Sequence, residues 1–157
     1  MLLYISKQFI SSRESDFLFF AILCVSDRCS GGVCQDKSGP LIKEIIEPLG
    51  ETKEYLIVPD EKEDISKALI HLCDDIKADV VFTTGGTGFA PRDVTPEATL
   101  SVIEKNVPGI AEAIRLKSLE ITPKAMLSRA VSGIRGSTLI INLPGSPKAV
   151  RETVCAN

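Results

Sequence analysis

Residues 84–96 (TGGTGFAPRDVTP) place three glycines, a charged pair and a helix start directly after a short apolar run. Gly85, Gly86 and Gly88 allow backbone N–H groups to approach a ligand without a Cβ in the way, and successive amides of that kind form an anion-binding nest. Thr95 reads as an N-cap with Pro96 at the first helical position, and Glu97 complements the positive end of the helix dipole. Asp93, with Arg92 beside it, stands on a loop after a strand, where open α/β sheets bind ligands. A phosphate-handling site follows from this pattern; a tight strand-to-helix crossover is the competing reading of the glycines alone. The stretch matches neither G-x-x-x-x-G-K-[ST] nor G-x-G-x-x-G, which excludes a Walker-type loop and an ordinary dinucleotide fingerprint.

The elements that must position this loop alternate strand and helix, the pattern of a mostly parallel sheet covered on both faces, a three-layer αβα sandwich. Strands are predicted over 19–25, 54–58 and 80–83, the last a β-branched run typical of an interior parallel strand. A first helix opens at Ser38-Gly39 with Pro40 in its first turn and stops near Gly50. A second, over 61–76, carries Ile65, Leu69, Leu72 and Ile76 on one stripe. Helices are also predicted over 95–105 and 109–119, divided at Val107-Pro108-Gly109, and from Ser146 to Val154. Residues 131–135 and 138–142 read as a hairpin around Gly136-Ser137. Right-handed crossovers bring the loops holding Ser26-Asp27, Asp60 and Gly85 to Asp93 to the same sheet edge. By pattern alone Asp60 reads as a helix N-cap after Pro59.

Length and composition suit one compact domain: 157 residues, 44% hydrophobic and 25% charged. A net charge of −3 leaves no electrostatic footprint for nucleic acid. The longest apolar run, 17–25, falls well short of the roughly 20 residues of a membrane helix, so no integral membrane segment is expected. Residues 1–18 read as a poorly structured extension before a domain over 19–157. Five cysteines, Cys24, Cys29, Cys34, Cys73 and Cys155, include no C-x-x-C pair and with the single His71 build no zinc site. They are expected to be reduced, with Cys24 in the core. His71 is expected to pack or to lie at the surface.

Several further segments occur in a fixed order around the glycine loop. Residues 21–28 (AILCVSDR), 35–40 (QDKSGP), 58–61 (VPDE), 126–129 (MLSR) and 141–147 (INLPGSP), together with 84–96, resemble the molybdopterin adenylyltransferase family, whose eukaryotic member is the gephyrin G domain. The resemblance runs from about residue 19 to the end. It implies a cytoplasmic enzyme that joins ATP to the terminal phosphate of molybdopterin with release of pyrophosphate. Asp60 and Asp93 match the family's essential aspartates and are expected to organise Mg2+. Ser26, Asp27, Gly85, Gly86, Thr87, Gly88 and Ser128 fall on the molybdopterin and phosphate side, and Asn142, Pro144, Gly145 and Ser146 on the nucleotide side.

Some roles stay open on the residues alone. Ser128 reads equally well as a turn-stabilising hydroxyl, and Asn142 as a turn residue or as a partner for base or ribose edges. Arg92 either contacts phosphate or anchors Asp93. The resemblance also implies a homotrimer that works with a molybdenum insertase. It leaves two alternatives: a gephyrin-like noncatalytic scaffold, or another member of the fold such as an insertase domain. Relatives continue through a full closing helix beyond the final Pro-Gly turn, so the terminal helix of this chain is expected to be incomplete.

Overall fold

A computed structural model of the chain describes residues 17–154. Six strands, β1 (Leu18–Val25), β2 (Gly50–Val58), β3 (Val80–Thr84), β4 (Lys105–Asn106), β5 (Ser132–Arg135) and β6 (Thr138–Leu143), form one sheet in the order β2-β1-β3-β6-β5-β4. β2, β1, β3 and β6 run parallel, and β5 is antiparallel to both β6 and β4. Helices cover both faces, as expected.

The period of two along each strand divides the core. Leu18, Phe20 and Ile22 of β1, Phe82 of β3 and Ile141 of β6 point to one face. There they meet Leu41, Ile42 and Ile46 of α2 (Ser38–Ile46), Ile114 of α5 (Pro108–Leu119), and Val150 and Val154 of α6 (Pro147–Val154). Ala21, Leu23 and Val25, with Val81 and Ile140, point to the other face. That face is covered by Ile65 and Leu69 of α3 (Lys62–Ile70) and by Ala98 and Val102 of α4 (Thr95–Val102). A single helical turn, α1 (Asp27–Ser30), follows β1.

Several elements depart from the predicted boundaries. β1 begins at Leu18, which is buried, one residue before the predicted strand; residues 1–16 and 155–157 lie outside the described residues. β2 begins at Gly50 because it is an edge strand whose charged residues alternate outward, which hides its first half from an apolar pattern. The second helix ends as a π turn, His71–Asp75, that carries Leu72 and Cys73 into the core. His71 lies at the surface, 2.8 Å from Asp75 Oδ2. Residues 103–107 leave the helix to join the sheet: Glu104 N–H donates to Ile134 O at 2.8 Å and Val107 N–H to Ser132 O at 2.9 Å. Among the described residues no helix is long and apolar enough to cross a membrane.

Candidate functional site

The loops after β1, β2, β3 and β6 converge at the carboxyl edge of the four parallel strands. Ser26 leaves β1 with its N–H on Val58 O at 2.9 Å, which ties the first loop to the end of β2. Its hydroxyl then accepts from Cys29 N–H at 3.3 Å and caps α1. Asp27 and Asp60 exchange hydrogen bonds: Asp27 N–H donates to Asp60 Oδ2 at 2.8 Å, and Asp60 N–H to Asp27 Oδ1 at 3.0 Å. Asp60 is therefore not the helix cap that pattern alone suggests; Glu61 holds that position.

Arg92 crosses from the glycine loop to the same pair. Its Nε donates to Asp27 Oδ2 at 2.6 Å and its Nη2 to Asp27 Oδ1 at 2.9 Å, while Nη2 also lies 2.9 Å from Glu61 Oε1. Of the two roles open in the sequence, anchoring of Asp93 is not what the contacts show: the guanidinium anchors Asp27. The fork holds the Asp27 carboxyl below the usual carboxylate range. Asp60 moves the other way, raised by burial and by the charges of Asp27 and Asp93, against a hydrogen bond from the Asp27 backbone.

Gly85 and Gly86 have φ of 96° and 64°, in the left-handed region. Their carbonyls receive Thr95, whose hydroxyl donates to Gly85 O at 2.9 Å and whose N–H donates to Gly86 O at 3.1 Å. Thr95 is thus the first residue of α4 and Val94 its N-cap, which corrects the predicted cap and moves Pro96 one position inward. A Cβ on Gly86 would lie 2.3 Å from Thr95 Oγ1 and 3.2 Å from Asp60 Oδ1, so the bare backbone is what lets the carboxylate approach. Asp93 folds back on its own loop: Ala90 N–H donates to Asp93 Oδ2 at 2.9 Å.

Two clefts flank this loop. One, of about 280 Å³, is lined by Ser26, Asp60, Gly85, Gly86 and Asp93, with Cys24, Cys29 and Asp36. The other, of about 290 Å³, is lined by Thr87, Gly88 and Ser128, with Arg115, Lys124 and Leu127. Gly145 lines both, whereas Pro144 and Ser146 stand on the Ser128 side. Asp60 Oδ1 and Asp93 Oδ1 carry no protein hydrogen bond among the described residues. Two such carboxylates fit a hard cation that completes its shell with phosphate oxygens and water, and no cluster of three metal-binding side chains occurs among the described residues.

Asn142 lines neither cleft. It is fully buried; its Nδ2 donates to Thr83 Oγ1 at 2.9 Å and to Thr99 Oγ1 at 3.0 Å, and its Oδ1 accepts from Val131 N–H at 3.2 Å. The carboxamide is satisfied inside the protein and braces β6 against β3 and α4. Three supports were not singled out in the sequence. Arg129, whose Nε donates to Gly88 O at 2.8 Å, also reaches the Asp93 carbonyl and Glu97, fixing the glycine loop from behind. Thr84 Oγ1 donates to Pro144 O and Ser38 Oγ to Gly145 O, each at 2.8 Å, which sets the turn after β6. Arg129, Thr84 and Ser38 all lay within the ordered segments, but their types alone carried no role at the site.

The fold is an open α/β domain with its clefts at the carboxyl ends of the parallel strands, where domains of this class bind ligands. Residues 21–155 match the family described as "Probable molybdopterin binding domain". The chain is 50% identical over 138 residues to the molybdopterin adenylyltransferase of Helicobacter pylori strain J99, covering 86% of this chain and 78% of that protein. With the molybdopterin adenylyltransferase of Escherichia coli K12 it shares 44% identity over 140 residues, covering 87% and 72% of the two chains. The crystal structure of the molybdopterin biosynthesis enzyme MoaB from Thermus thermophilus superposes with a TM-score of 0.82 at 47% identity, covering 88% of this chain and 87% of that one. The chain belongs to the molybdopterin adenylyltransferase family of molybdenum cofactor biosynthesis.

Proposed function

We propose that the protein catalyses Mg2+-dependent adenylylation of molybdopterin by ATP, releasing pyrophosphate. The observation that carries this reading is the pair of clefts sharing one glycine loop, acidic on the Asp60–Asp93 side and mixed apolar and basic on the Ser128 side. Two substrates held in these clefts would meet across Gly85–Gly88 and Gly145. The nucleotide phosphates are assigned to the first cleft and the pterin to the second, with Ser128 and Thr87 as hydroxyl partners and Arg115 and Lys124 facing its terminal phosphate. Relative to the sequence-based expectation, this assignment moves Ser26, Gly85 and Gly86 to the nucleotide side and Pro144 and Ser146 to the pterin side.

In the reaction an oxygen of the molybdopterin phosphate attacks the α-phosphorus of ATP, a new P–O bond forms, and the bond to pyrophosphate breaks. Both reactants are anions, so positioning and charge neutralisation dominate the catalysis. A bound magnesium ion supplies neutralisation, and Asp60 and Asp93 are the residues that would hold it. Arg92 and Asp27 keep the Asp60 backbone in place, and Arg129 does the same for the Asp93 loop.

The same proposal includes a cytoplasmic setting, a homotrimer and delivery to a molybdenum insertase. The exposed Leu116, Ile121 and Met126 offer an apolar surface for assembly, and sedimentation of the protein alone tests the trimer. The test of activity is magnesium-dependent pyrophosphate release from ATP and molybdopterin by the parent, Asp60→Ala and Asp93→Ala. Release by the parent that is lost in both variants is expected. A folded parent that releases none refutes the proposal.

A further inference from the structure

Thiols gather at the wall of the acidic cleft, which Cys24 and Cys29 line. Cys29 Sγ lies 2.9 Å from Cys34 Sγ. The short loop between them is folded back on itself: Val33 N–H and Cys34 N–H both donate to Arg28 O, at 2.8 and 3.2 Å, and Gly32 turns with φ of 73°. A disulfide needs the sulfurs about 2.05 Å apart, so closure requires a movement on the order of an ångström in a loop already bent for it. Both cysteines are half-buried at the surface, whereas Cys24 and Cys73 are 4% and 7% exposed.

The surroundings divide the roles. The hydrogen bond with Cys29 raises the Cys34 thiol, while the Arg28 charge pulls it in the opposite direction. Cys29, which lines the open cleft while Cys34 does not, is assigned as the attacking sulfur and Cys34 as the resolving one. Cys24 also neighbours Cys29, but burial and the Asp36 carboxylate push its thiol far up, and it stays protonated within β1.

We infer that Cys29 and Cys34 form a redox-active dithiol that low-molecular-weight disulfides of the glutathione class oxidise to an intramolecular disulfide. The Cys29 thiolate attacks one sulfur of the small disulfide, and its other half leaves as a thiolate that takes up the proton released from Cys29. Cys34 sulfur, losing its proton, then attacks the Cys29 sulfur of the mixed disulfide and expels the second small thiol. The protein pair is oxidised by two electrons, and the small disulfide is reduced to two thiols.

The test equilibrates the full chain with glutathione disulfide and reduced glutathione, quenches with acid, alkylates under denaturing conditions and maps the labels by mass spectrometry. The expected result is joint loss of label at Cys29 and Cys34, their recovery as one linked peptide, retention of label at Cys24 and Cys73, and reversal by dithiothreitol. Cys34→Ser, with Cys34→Ala as a second variant, should stop at a glutathione adduct on Cys29. A wild-type chain that keeps both thiols, that accumulates the same Cys29 adduct as the variants, or that links Cys29 to Cys24 overturns the inference.

Discussion

Replacing Asn142 by alanine distinguishes a brace from a ligand contact. The side chain makes three hydrogen bonds, at 2.9, 3.0 and 3.2 Å, from a fully buried position. At about 1 kcal/mol net per bond their loss costs about 3 kcal/mol, and the partners left behind, two hydroxyls and the Val131 N–H, raise the figure toward about 5 kcal/mol where water cannot reach them. Set against a net stability of about 5–15 kcal/mol for a domain, that is a large fraction. With a urea slope of about 1–3 kcal/mol per molar, the unfolding midpoint should fall by at least about 1 M. Thr99→Val removes one acceptor from the same network and should lower the midpoint less. Because the two changes share a bond, the double variant should lose less than the sum. Chemical denaturation followed by circular dichroism reads all three. An Asn142→Ala protein with an unchanged midpoint but weakened ATP binding would refute the reasoning and return Asn142 to the nucleotide side.

Other expectations rest on the same geometry. Gly85→Ala would place a Cβ 2.2 Å from Val25 O at a φ of 96°, and should destabilise the fold by about 1–3 kcal/mol or more, read as a lower thermal midpoint; an unchanged midpoint contradicts the backbone contact. Arg129→Lys keeps the charge but cannot span Gly88 O, the Asp93 carbonyl and Glu97 together. Pyrophosphate release should drop by about ten-fold, equivalent to about 1.4 kcal/mol of barrier, with the fold retained; full activity would show that the loop needs no such support. Asp74, whose carboxyl is lowered by the Arg135 hydrogen bonds, contributes stability above its unfolded value of about 3.9, lost as pH falls through the lower folded value. The gap in thermal midpoint between wild type and Asp74→Asn should therefore be present at pH 7 and close below about pH 4, and a gap that persists into acid contradicts the pairing.

Legibility in the sequence followed burial and distance along the chain. β1, β3 and β6 were visible because each side of those strands faces a core, so their residues are apolar almost without interruption. The first half of β2 and the two-residue β4 were not, since edge positions carry charge and their backbone partners are remote. The glycine loop, Asp60 and Asp93 could be marked from residue type and ordered segments. The Arg92–Asp27 fork, which joins residues 65 positions apart, could not. Asn142 shows a third limit: its type suggests recognition of a ligand, but which face of a strand end it occupies depends on register, and here it turns toward Thr83 and Thr99.

The strand order has a consequence for synthesis on the ribosome. β1, β2 and β3 are made in succession and lie side by side, yet the partner for the far side of β3 is β6, which emerges only after the intervening helices. Until then the fully buried strand Val80–Thr84 is an open, apolar parallel edge, the kind of edge that pairs with other chains. The acidic cleft stays incomplete over the same interval, because Gly145 arrives directly after β6. Nascent chains that end between residues 84 and 138 are thus expected to carry an open β3 edge and a cleft that lacks Gly145.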